Sequence, residues 1–347
     1  MTHALAGCPS DELRYKLGIA KSCGTVKFCA IANDMLTTAK EVIEYCTMGV
    51  VPILIGSAVN KDFIPFTDLL EDSGDAFPKD NRVESGDLAV VVYSSGTTGP
   101  PKGIPLAHKQ LVSHMTVPRI TMREGDIYLL STPLSHAGAT YMTMSALSLG
   151  ATLLALPHLS DPEHYSIAID KYKATYIFCI PPLIVSLVKK GYELPTLQRC
   201  DTAGSTCSPT VIREARITHP HLVINTGLYG MSEIGFLINT ASETEQASNK
   251  RGVLMGKPVA KSQAKVVDPI TKRLLPSGVA GELCVRSAYI MRGYINNPEA
   301  TARTIDSDGW MHTGDLVQYD DDGFLYFIDR LKDIIRIAPD KTTSIQV

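Results

Sequence analysis

Residues 93 to 103 read Tyr-Ser-Ser-Gly-Thr-Thr-Gly-Pro-Pro-Lys-Gly, a loop dense in glycine and in hydroxyl side chains. The apolar run 88–93 before it predicts a buried strand, and residues 107–116 after it predict a helix. Glycines let backbone N–H groups approach a phosphate, hydroxyls donate further hydrogen bonds, and Lys102 supplies a positive charge. The segment therefore predicts a polyanion-binding loop, which we call the phosphate loop.

The phosphate loop does not have the G-x-x-x-x-G-K-[ST] spacing of the P-loop NTPases, so that class is disfavoured. The alternative without function is a flexible turn of serine and glycine. Such a turn explains neither the strand immediately before the loop nor the lysine within it. Phosphate binding is the favoured interpretation.

The composition is that of an ordinary globular enzyme or binding protein. The chain has 347 residues, 44% of them hydrophobic and 20% charged, which is enough for one large or two ordinary domains. Its 33 basic and 36 acidic residues leave a net charge of -3, and the basic residues occur singly or in pairs. Disorder, collagen and coiled coil are excluded, and nucleic acid is not expected as a partner.

The eight cysteines predict an intracellular protein with mostly buried, reduced thiols, because there is no C-x-x-C pair and no histidine at zinc-finger spacing. The first residues have no signal-peptide pattern, and the final Ile-Gln-Val is no known targeting signal. Both a cytoplasmic and a peroxisomal location stay open. The sequence does not indicate an oligomeric state.

Residues 127–160 have no formal charge, and the stretch is long enough to cross a bilayer. It contains Pro133, Gly138, Gly150 and Pro157, and its hydrophobic period changes along the way. A buried strand, a helix and a second strand are the favoured interpretation. A membrane-contacting face is the alternative, and no transmembrane segment is expected.

Short, continuous apolar runs alternate with helix-length segments through the first part of the chain, as is typical of parallel sheets covered by helices. Such strands are predicted at 25–30, 50–55, 88–93, 127–130, 152–156, 175–180 and 222–225, with a helix at 37–47. After about Arg251 the runs alternate, with a hairpin turn at Asp321-Asp322-Gly323. We predict an α/β body of layered parallel-type sheets at 1–250, a smaller β-rich, distorted barrel-like subdomain at 251–337, and a tail at 338–347.

Three further segments agree with the phosphate loop and point to a family. In order they are Tyr229-Gly230-Met231-Ser232-Glu233, Gly281-Glu282-Leu283 through Gly293-Tyr294, and Thr313-Gly314-Asp315 followed by Asp329-Arg330-Leu331-Lys332-Asp333. In these segments the chain resembles the adenylate-forming enzymes, which include acyl-CoA synthetases, 4-coumarate-CoA ligases and firefly luciferase. The resemblance runs from about residue 11 to about residue 337.

The resemblance implies that a carboxylic acid of fatty or aryl-propenoic type attacks the α-phosphate of ATP. Pyrophosphate leaves, and the thiol of coenzyme A then attacks the acyl-AMP. Because the first step is an in-line displacement at phosphorus, the protein's task is to position groups and neutralise charge. The implied partners are ATP, Mg²⁺, coenzyme A and a small carboxylic acid.

By this resemblance the phosphate loop binds the β- and γ-phosphates through Ser94, Ser95, Gly96, Thr97, Thr98, Gly99 and Lys102. Tyr229 is expected against the adenine with Gly230 beside it, and Ser232 at the α-phosphate or the acyl group. Glu233 is expected to bind Mg²⁺, which prefers carboxylate and phosphate oxygens. Taken alone, Ser-Glu after a glycine turn would be interpreted as a helix N-cap.

Asp315 corresponds to a carboxylate that accepts hydrogen bonds from both ribose hydroxyls, and Arg330 to an arginine that reaches the ribose. His136 corresponds to a residue at the mouth of the acyl pocket, and not to a general base, because a carboxylate nucleophile is already ionised at neutral pH. Gly204 and Gly227 correspond to residues that line the acyl and adenine pockets. Taken singly, these would be a turn aspartate, a surface arginine, a core histidine and ordinary glycines.

The sequence departs from the family at 202–207, Leu228 and Ser287, which leaves phosphate binding in place and the preferred acid undetermined. After residue 337 it no longer follows the family, in which a C-terminal domain swings to deliver a catalytic lysine. We therefore expect a chain truncated at both ends, without the C-terminal lid domain. The alternative to an acyl-CoA ligase is a truncated, catalytically impaired product that binds nucleotide.

Overall fold

The computed structural model describes residues 10–22, 28–32, 51–56, 61–76, 82–94, 100–116, 120–156, 161–207, 209–239, 252–338 and 341–344. The chain divides into two compact units, residues 1–108 with 293–298, and residues 109–292 with 299–347. The phosphate loop belongs to the first unit. The second unit contains a parallel and an antiparallel sheet.

The first unit contains a three-stranded parallel sheet in the order β1-β2-β3 and an antiparallel pair, β4 and β5. Its elements are α1 (Ser10–Ser22), β1 (Phe28–Ala32), β2 (Val51–Ile55), β3 (Ile64–Pro65), α2 (Phe66–Leu69), β4 (Leu88–Tyr93) and β5 (Gly103–Ala107). The strands predicted at 50–55 and 88–93 are confirmed, and the described part of the one predicted at 25–30 belongs to β1. The helix predicted at 37–47 lies outside the described residues.

The phosphate loop joins two strands, whereas the sequence predicted a strand followed directly by a helix. Tyr93 pairs with Gly103 across the antiparallel β4 and β5, and helix α3 (His108–Thr116) begins only after β5. The prediction was wrong because β5 is short and contains a proline, which removes a backbone donor and disguises a strand. Its side chains Ile104 and Leu106 are fully buried, which fixes the strand by packing.

The second unit begins with a fully parallel five-stranded sheet in the order β10-β9-β8-β6-β7. After α3 its elements are β6 (Ile127–Leu130), α4 (Ala137–Leu149), β7 (Thr152–Leu154), α5 (Pro162–Tyr172), β8 (Tyr176–Cys179), α6 (Pro181–Lys189), β9 (Arg199–Thr202), α7 (Pro209–Thr218) and β10 (Val223–Asn225). The uncharged stretch therefore forms β6, α4 and β7, as predicted. Among the described residues, no helix combines the length and apolar character that a membrane span needs.

Burial of apolar side chains between this sheet and its helices holds the parallel layer together. Leu129 and Ile177 of the sheet pack with Ile169, Ile184 and Leu187 of the helices, and all five are fully buried. Burying one such side chain contributes about 1.5 to 3 kcal/mol. The strand β9 was not predicted, because Arg-Cys-Asp-Thr carries two charges and has no apolar run.

The chain continues into a seven-stranded antiparallel sheet in the order β11-β12-β13-β17-β16-β15-β14. Its elements are β11 (Tyr229–Met231), β12 (Gly235–Asn239), β13 (Val253–Pro258), β14 (Ser262–Val267), β15 (Gly281–Ser287), α8 (Pro298–Thr304), β16 (Met311–Tyr319) and β17 (Leu325–Arg330), followed by a 3-10 turn (Leu331–Asp333) and the paired strands β18 (Ile334–Ala338) and β19 (Lys341–Ser344). The sheet takes strands from both sides of residue 251, and the boundary at 250/251 stays a prediction.

The hairpin predicted around Asp321-Asp322-Gly323 is confirmed and joins β16 to β17. Gly323 has a φ of 81°, a left-handed conformation that glycine adopts without strain, and its N–H donates to the Asp320 carbonyl at 2.9 Å. The described cysteines are all free. Cys29 is partly buried, and Cys179, Cys200, Cys207 and Cys284 are buried.

Candidate functional site

The base of the phosphate loop is closed by two residues that the sequence singled out. The Ser94 N–H donates to the Lys102 carbonyl at 3.1 Å, and the Lys102 N–H donates to Ser94 Oγ at 3.3 Å. The Lys102 ammonium lies 4.9 Å from the centre of the Tyr294 ring, a cation–π contact. The described residues do not include the rest of the loop, Ser95, Gly96, Thr97, Thr98 and Gly99, whose role stays a prediction.

The strands that carry the phosphate loop are anchored by close packing in the first unit. The Tyr93 hydroxyl donates to the Lys16 carbonyl at 2.9 Å, and the Ile295 N–H donates to the Gly103 carbonyl at 2.9 Å. A Cβ at Gly103 would lie 2.6 Å from Ile19 Cγ2. A side chain at residue 103 would therefore displace Ile19, so packing favours glycine at the foot of the loop.

In the second unit the structure brings together Tyr229, Asp315 and Arg330, three residues that the sequence assigned to nucleotide binding. The Tyr229 hydroxyl donates to Asp315 Oδ2 at 2.5 Å, and Arg330 Nε lies 3.6 Å from Asp315 Oδ1. Asp315 and Arg330 are register partners across β16 and β17, so their side chains lie on the same face. We call these three residues the ribose cluster.

The curvature of the antiparallel sheet makes the ribose cluster possible. Strands β11 and β16 are four positions apart in the strand order. At a spacing of about 4.8 Å between neighbouring strands, they would be about 19 Å apart in a flat sheet, beyond the reach of a tyrosine. The sheet therefore curls until Tyr229 meets Asp315, which agrees with the predicted barrel-like shape.

The ribose cluster encloses a carboxylate that is 6% exposed. Burial raises the pKa of Asp315, while the Tyr229 hydrogen bond and the charge of Arg330 oppose that rise. Burial, followed by the Asp315 charge, raises the pKa of Tyr229 well above its ordinary value. Tyr229 therefore stays a protonated donor, and Asp315 Oδ1 faces Arg330 at a distance beyond that of a direct hydrogen bond.

Ser232 and Glu233 lie in the turn between β11 and β12, so the alternative that they cap a helix is wrong. The Ser232 carbonyl accepts a hydrogen bond from the Tyr141 hydroxyl at 3.5 Å, and the Glu233 carbonyl accepts one from the Met291 N–H at 2.8 Å. The Glu233 side chain is buried. Strand β12 begins two residues after Glu233, at Gly235, and Ile234 and Leu237 belong to the buried core of this sheet.

Gly230 is required by the close approach of β11 to β12. A Cβ at this position would lie 2.2 Å from the Gly235 carbonyl oxygen, a backbone atom that has no rotamer with which to move away. Any side chain at residue 230 would push apart the strands that hold Tyr229 and Glu233. The assignment of Gly230 to nucleotide binding stays a prediction, and the structure supplies a packing reason for the glycine.

The remaining predicted residues follow the carboxyl ends of parallel strands, where open α/β sheets bind ligands. His136 follows β6, Gly204 follows β9 with a φ of 89°, and Gly227 follows β10 and donates its N–H to Asn225 Oδ1 at 3.2 Å. The His136 ring accepts a hydrogen bond from the Gly138 N–H at 3.1 Å and so caps helix α4. Although the His136 residue is exposed, the packing around its ring lowers its pKa.

Two buried residues beside the Ser232-Glu233 turn were missed. The His114 ring lies 4.3 Å from the Tyr141 ring, and a Cβ at Gly235 would lie 2.0 Å from His114 Cε1. His114 is 5% exposed, although it belongs to a helix that the sequence treated as ordinary. The available signal was its place on the buried face of α3 with Gln110 and Leu111.

The family model that matches this chain is that of the AMP-binding enzymes, and it covers residues 9–295. The chain is 37% identical over 275 residues to 4-coumarate--CoA ligase-like 9 of Arabidopsis thaliana, a match that covers 76% of this chain and 48% of the relative. It is 30% identical over 332 residues to 4-coumarate--CoA ligase 4 of the same plant, covering 92% of this chain and 57% of the relative. The chain thus spans about half the length of the curated relatives it matches.

Solved structures of similar fold include an anthranilate CoA ligase in complex with anthranoyl-AMP. Its TM-score is 0.85 at 20% identity, over 97% of this chain and 64% of that one. A luciferase-like enzyme from the mealworm Zophobas morio gives a TM-score of 0.80 at 23% identity, over 96% of this chain and 78% of that one. At such identities the likeness shows the fold alone, and it confirms the mixed α/β architecture.

Proposed function

Since this chain belongs to the AMP-binding enzyme family, we propose that it joins a carboxylic acid to the α-phosphate of ATP, with loss of pyrophosphate. The resulting acyl adenylate then passes its acyl group to coenzyme A. The covalent change in the first step is between the two substrates, so the protein contributes positioning and charge neutralisation. The residues that we assign to this task are donors, cations and carboxylates.

The ribose cluster is the observation that carries the proposal. Asp315 is a buried carboxylate whose Oδ2 is already oriented by Tyr229 and whose Oδ1 faces an arginine without a direct hydrogen bond. A planar carboxylate with acceptor capacity left suits the two adjacent hydroxyls of a ribose. The aromatic ring of Tyr229, held in place by the same hydrogen bond, supplies a surface for an adenine.

Ser94 and Lys102 are proposed to bind the outer phosphates as pyrophosphate leaves. Their reciprocal hydrogen bonds hold the two ends of the phosphate loop together before a nucleotide binds, which lowers the entropic cost of binding. Lys102 adds a positive charge beside the polyanion. Within the family's chemistry, this charge stabilises the leaving pyrophosphate.

Glu233 fits a magnesium ligand by its chemistry. Mg²⁺ at nucleotide sites is bound by one or two carboxylates together with substrate phosphates. A single buried carboxylate in the turn after Tyr229 meets that requirement. The metal would neutralise phosphate charge, while Ser232 is proposed to contact the α-phosphate or the acyl group.

The acid is proposed to be of aryl-propenoic or fatty type. The 4-coumarate ligases among the relatives favour an aryl-propenoic acid, and a structural neighbour of similar fold is a long-chain-fatty-acid-CoA ligase from Archaeoglobus fulgidus. His136, Gly204 and Gly227 are proposed as pocket residues, because they follow the carboxyl ends of β6, β9 and β10. The departures at 202–207 lie on the same edge, so the preferred acid has to be found by experiment.

ATP-pyrophosphate exchange on the purified chain, with a panel of aryl-propenoic and fatty carboxylates, tests the proposal. Exchange that depends on the acid is expected, together with a rise in the melting temperature with ATP and Mg²⁺. Asp315→Ala is expected to lose both signals, because each charge-assisted hydrogen bond to the ribose is worth about 1.5 to 3 kcal/mol. The matched control is Asp322→Ala in the exposed hairpin turn, which should keep both.

The two readouts separate the possible results. A thermal shift without exchange would favour the alternative, a nucleotide-binding protein that does not adenylate acids. Unchanged ATP affinity in Asp315→Ala would contradict the assignment of the ribose cluster. Exchange that is independent of any added acid would contradict the proposed reaction.

A further inference from the structure

Three side chains with different metal-binding atoms converge on the antiparallel sheet, at residues that the proposed reaction does not use. Glu282 Oε2 lies 2.9 Å from His312 Nδ1, and Cys284 Sγ lies 3.4 Å from the same nitrogen. The carboxylate oxygen, the sulfur and the ring nitrogen all lie within 4.8 Å of one another. We call these three residues the sheet triad.

Strand pairing builds the sheet triad from residues distant in sequence. Glu282 and Cys284 are two apart in β15, so both side chains leave the same face of the strand. Cys284 is the register partner of His312 in β16, and the register shifts between Glu282 and Cys284. The side chains are therefore held by the backbone of two paired strands and not by a mobile loop.

The sheet triad is mostly buried, and it is closest to solvent at His312 and the neighbouring Lys272. Glu282 is 5% exposed and Cys284 is fully buried, while the His312 side chain is 18% exposed. The Lys272 ammonium lies 2.8 Å from Glu282 Oε2, and its side chain is 55% exposed. A cation already sits at the carboxylate, and it is the end of a flexible side chain that can move into solvent.

The second nitrogen of His312 faces a carboxylate. Asp306 Oδ2 lies 3.7 Å from His312 Nε2. In metal sites, a ligating histidine usually directs its other N–H to a carboxylate, which fixes the ring and the tautomer. Asp306 on the Nε2 side leaves Nδ1 as the nitrogen directed at Glu282 and Cys284.

We propose that the sheet triad is a binding site for Zn²⁺ or a similar borderline-soft divalent cation, with Glu282, Cys284 and His312 as ligands and Asp306 as the residue that positions His312. Cysteine, histidine and carboxylate are the three ligand types that zinc takes. The thiolate disfavours Mg²⁺ and Ca²⁺, which prefer oxygen alone. The site is independent of ATP and of the carboxylic acid.

The separations of Glu282 and of Cys284 from His312 are close to those that such a cation needs. With bonds of about 2.0 Å to nitrogen and oxygen and about 2.3 Å to sulfur, tetrahedral ligand atoms stand about 3.3 to 3.5 Å apart. Cys284 and His312 already have this separation, and Glu282 and His312 are slightly closer. Three protein ligands leave a fourth position at the solvent approach, where Lys272 now lies.

Titration of the chelator-treated full chain with Co²⁺ and Zn²⁺ tests the proposal. Co²⁺ is expected to give a thiolate-to-metal charge-transfer band. Added Zn²⁺ should abolish this band by displacing Co²⁺, and added Mg²⁺ should leave it unchanged. Cys284→Ser should lose that band and bind Zn²⁺ at least about tenfold more weakly. The matched control is Cys207→Ser, another buried thiol, which should keep the band.

Two further variants keep the test decisive if Cys284→Ser does not fold. Asp306→Asn is expected to weaken Zn²⁺ binding by about 10- to 100-fold through the orientation of His312. Lys272→Ala is expected to bind Zn²⁺ more tightly, since it removes the competing ammonium. No saturable Co²⁺ binding, a band that survives in Cys284→Ser, or weaker binding in Lys272→Ala would each show that the triad is only an ionic network.

Discussion

Asp201 of the parallel sheet and Asp315 of the antiparallel sheet are both buried carboxylates, and they differ in how many of their acceptor positions are used. Asp201 is 0% exposed and accepts hydrogen bonds from the Thr121 N–H, the Thr121 hydroxyl, the Tyr176 hydroxyl and the Asn225 amide at 2.6 to 3.1 Å. Asp315 accepts one from Tyr229 and faces Arg330 at 3.6 Å. A carboxylate whose acceptors are filled by the protein stabilises the fold, whereas one with acceptor capacity left is available to a ligand.

The pKa shifts of Asp201 and Asp315 show that the number of hydrogen-bond donors around a carboxylate distinguishes the two residues better than burial does. Burial raises the pKa of Asp201 and of Asp315 alike. In both, hydrogen bonds oppose that rise, and in Asp315 the charge of Arg330 opposes it as well. Because desolvation acts on both carboxylates in the same direction, a raised pKa does not distinguish a structural group from a functional one.

The largest expected effect comes from removing the Asp201 carboxylate, whose acceptor positions the protein already uses. Asp201→Ala removes the acceptor of the Thr121 N–H and of the Tyr176 hydroxyl, and one of the acceptors of the Asn225 amide. Each orphaned buried donor costs about 1 to 3 kcal/mol, so we expect a loss of about 3 kcal/mol or more in the free energy of unfolding. Urea denaturation followed by circular dichroism measures it.

The control for that measurement is Asp170→Ala, which removes an exposed ion pair with Lys173. Exposed pairs contribute about 0 to 1 kcal/mol, so this variant should unfold close to the parent chain. Equal losses in Asp170→Ala and Asp201→Ala would contradict the distinction between the two carboxylates.

An intermediate effect is expected at the ribose cluster, from Tyr229→Phe. This change removes the hydroxyl that donates to Asp315 and keeps the ring. Hydrogen bonds to charged groups contribute about 1.5 to 3 kcal/mol, and we expect the lower end, because Asp315 is not fully closed to water. A double-mutant cycle with Asp315→Ala, by urea denaturation, isolates the pair.

The double-mutant cycle measures how strongly the Tyr229 and Asp315 side chains stabilise each other. A coupling energy of about 0.5 to 3 kcal/mol is expected between Tyr229 and Asp315, since the two side chains are in direct contact. Additive losses would show that the hydrogen bond does not contribute to stability. In that case Tyr229 is positioned by its strand alone.

The sequence singled out three residues of the antiparallel sheet that the structure brings together, but it did not single out Asp201 of the parallel sheet. Tyr229, Asp315 and Arg330 belong to motifs, so their resemblance to a family marked them before any geometry was known. Asp201 has no such mark, and its donors come from residues 121, 176 and 225, which only the fold brings together. Its strand was also missed, because Arg-Cys-Asp-Thr carries two charges and has no apolar run.

The same limit explains the other misses. Strand β5 was interpreted as the approach to a helix, since a proline in a two-stranded sheet does not produce a strand pattern. The sheet triad was not foreseen, because Glu282 lay in a motif as part of Gly-Glu-Leu while His312 stands in another strand. Strand register is decided by packing across the sheet and is not written in local spacing.

The smallest effect is expected at His136, a polar residue that follows the carboxyl end of strand β6 in the parallel sheet. Its neutral ring accepts the Gly138 N–H and caps α4, and burial lowers its pKa. For a base whose pKa is lowered by folding, the unfolded chain binds more protons, so stability is present above the unfolded pKa of about 6.5 and is lost as the pH falls through it. His136→Asn keeps a capping oxygen that does not titrate.

The free energies of unfolding of the parent chain and of His136→Asn, measured by urea denaturation between about pH 5.5 and 8, test whether His136 titrates as well as capping α4. The two free energies should agree within a few tenths of a kcal/mol at the upper end of this range, and the parent should fall below His136→Asn at the lower end. His136→Ala should lie about 1 kcal/mol below His136→Asn at both ends. The three chains are identical at every other residue, so the difference belongs to residue 136. Parallel pH profiles would mean that protonated His136 is accommodated without loss of stability, by turning its ring to solvent.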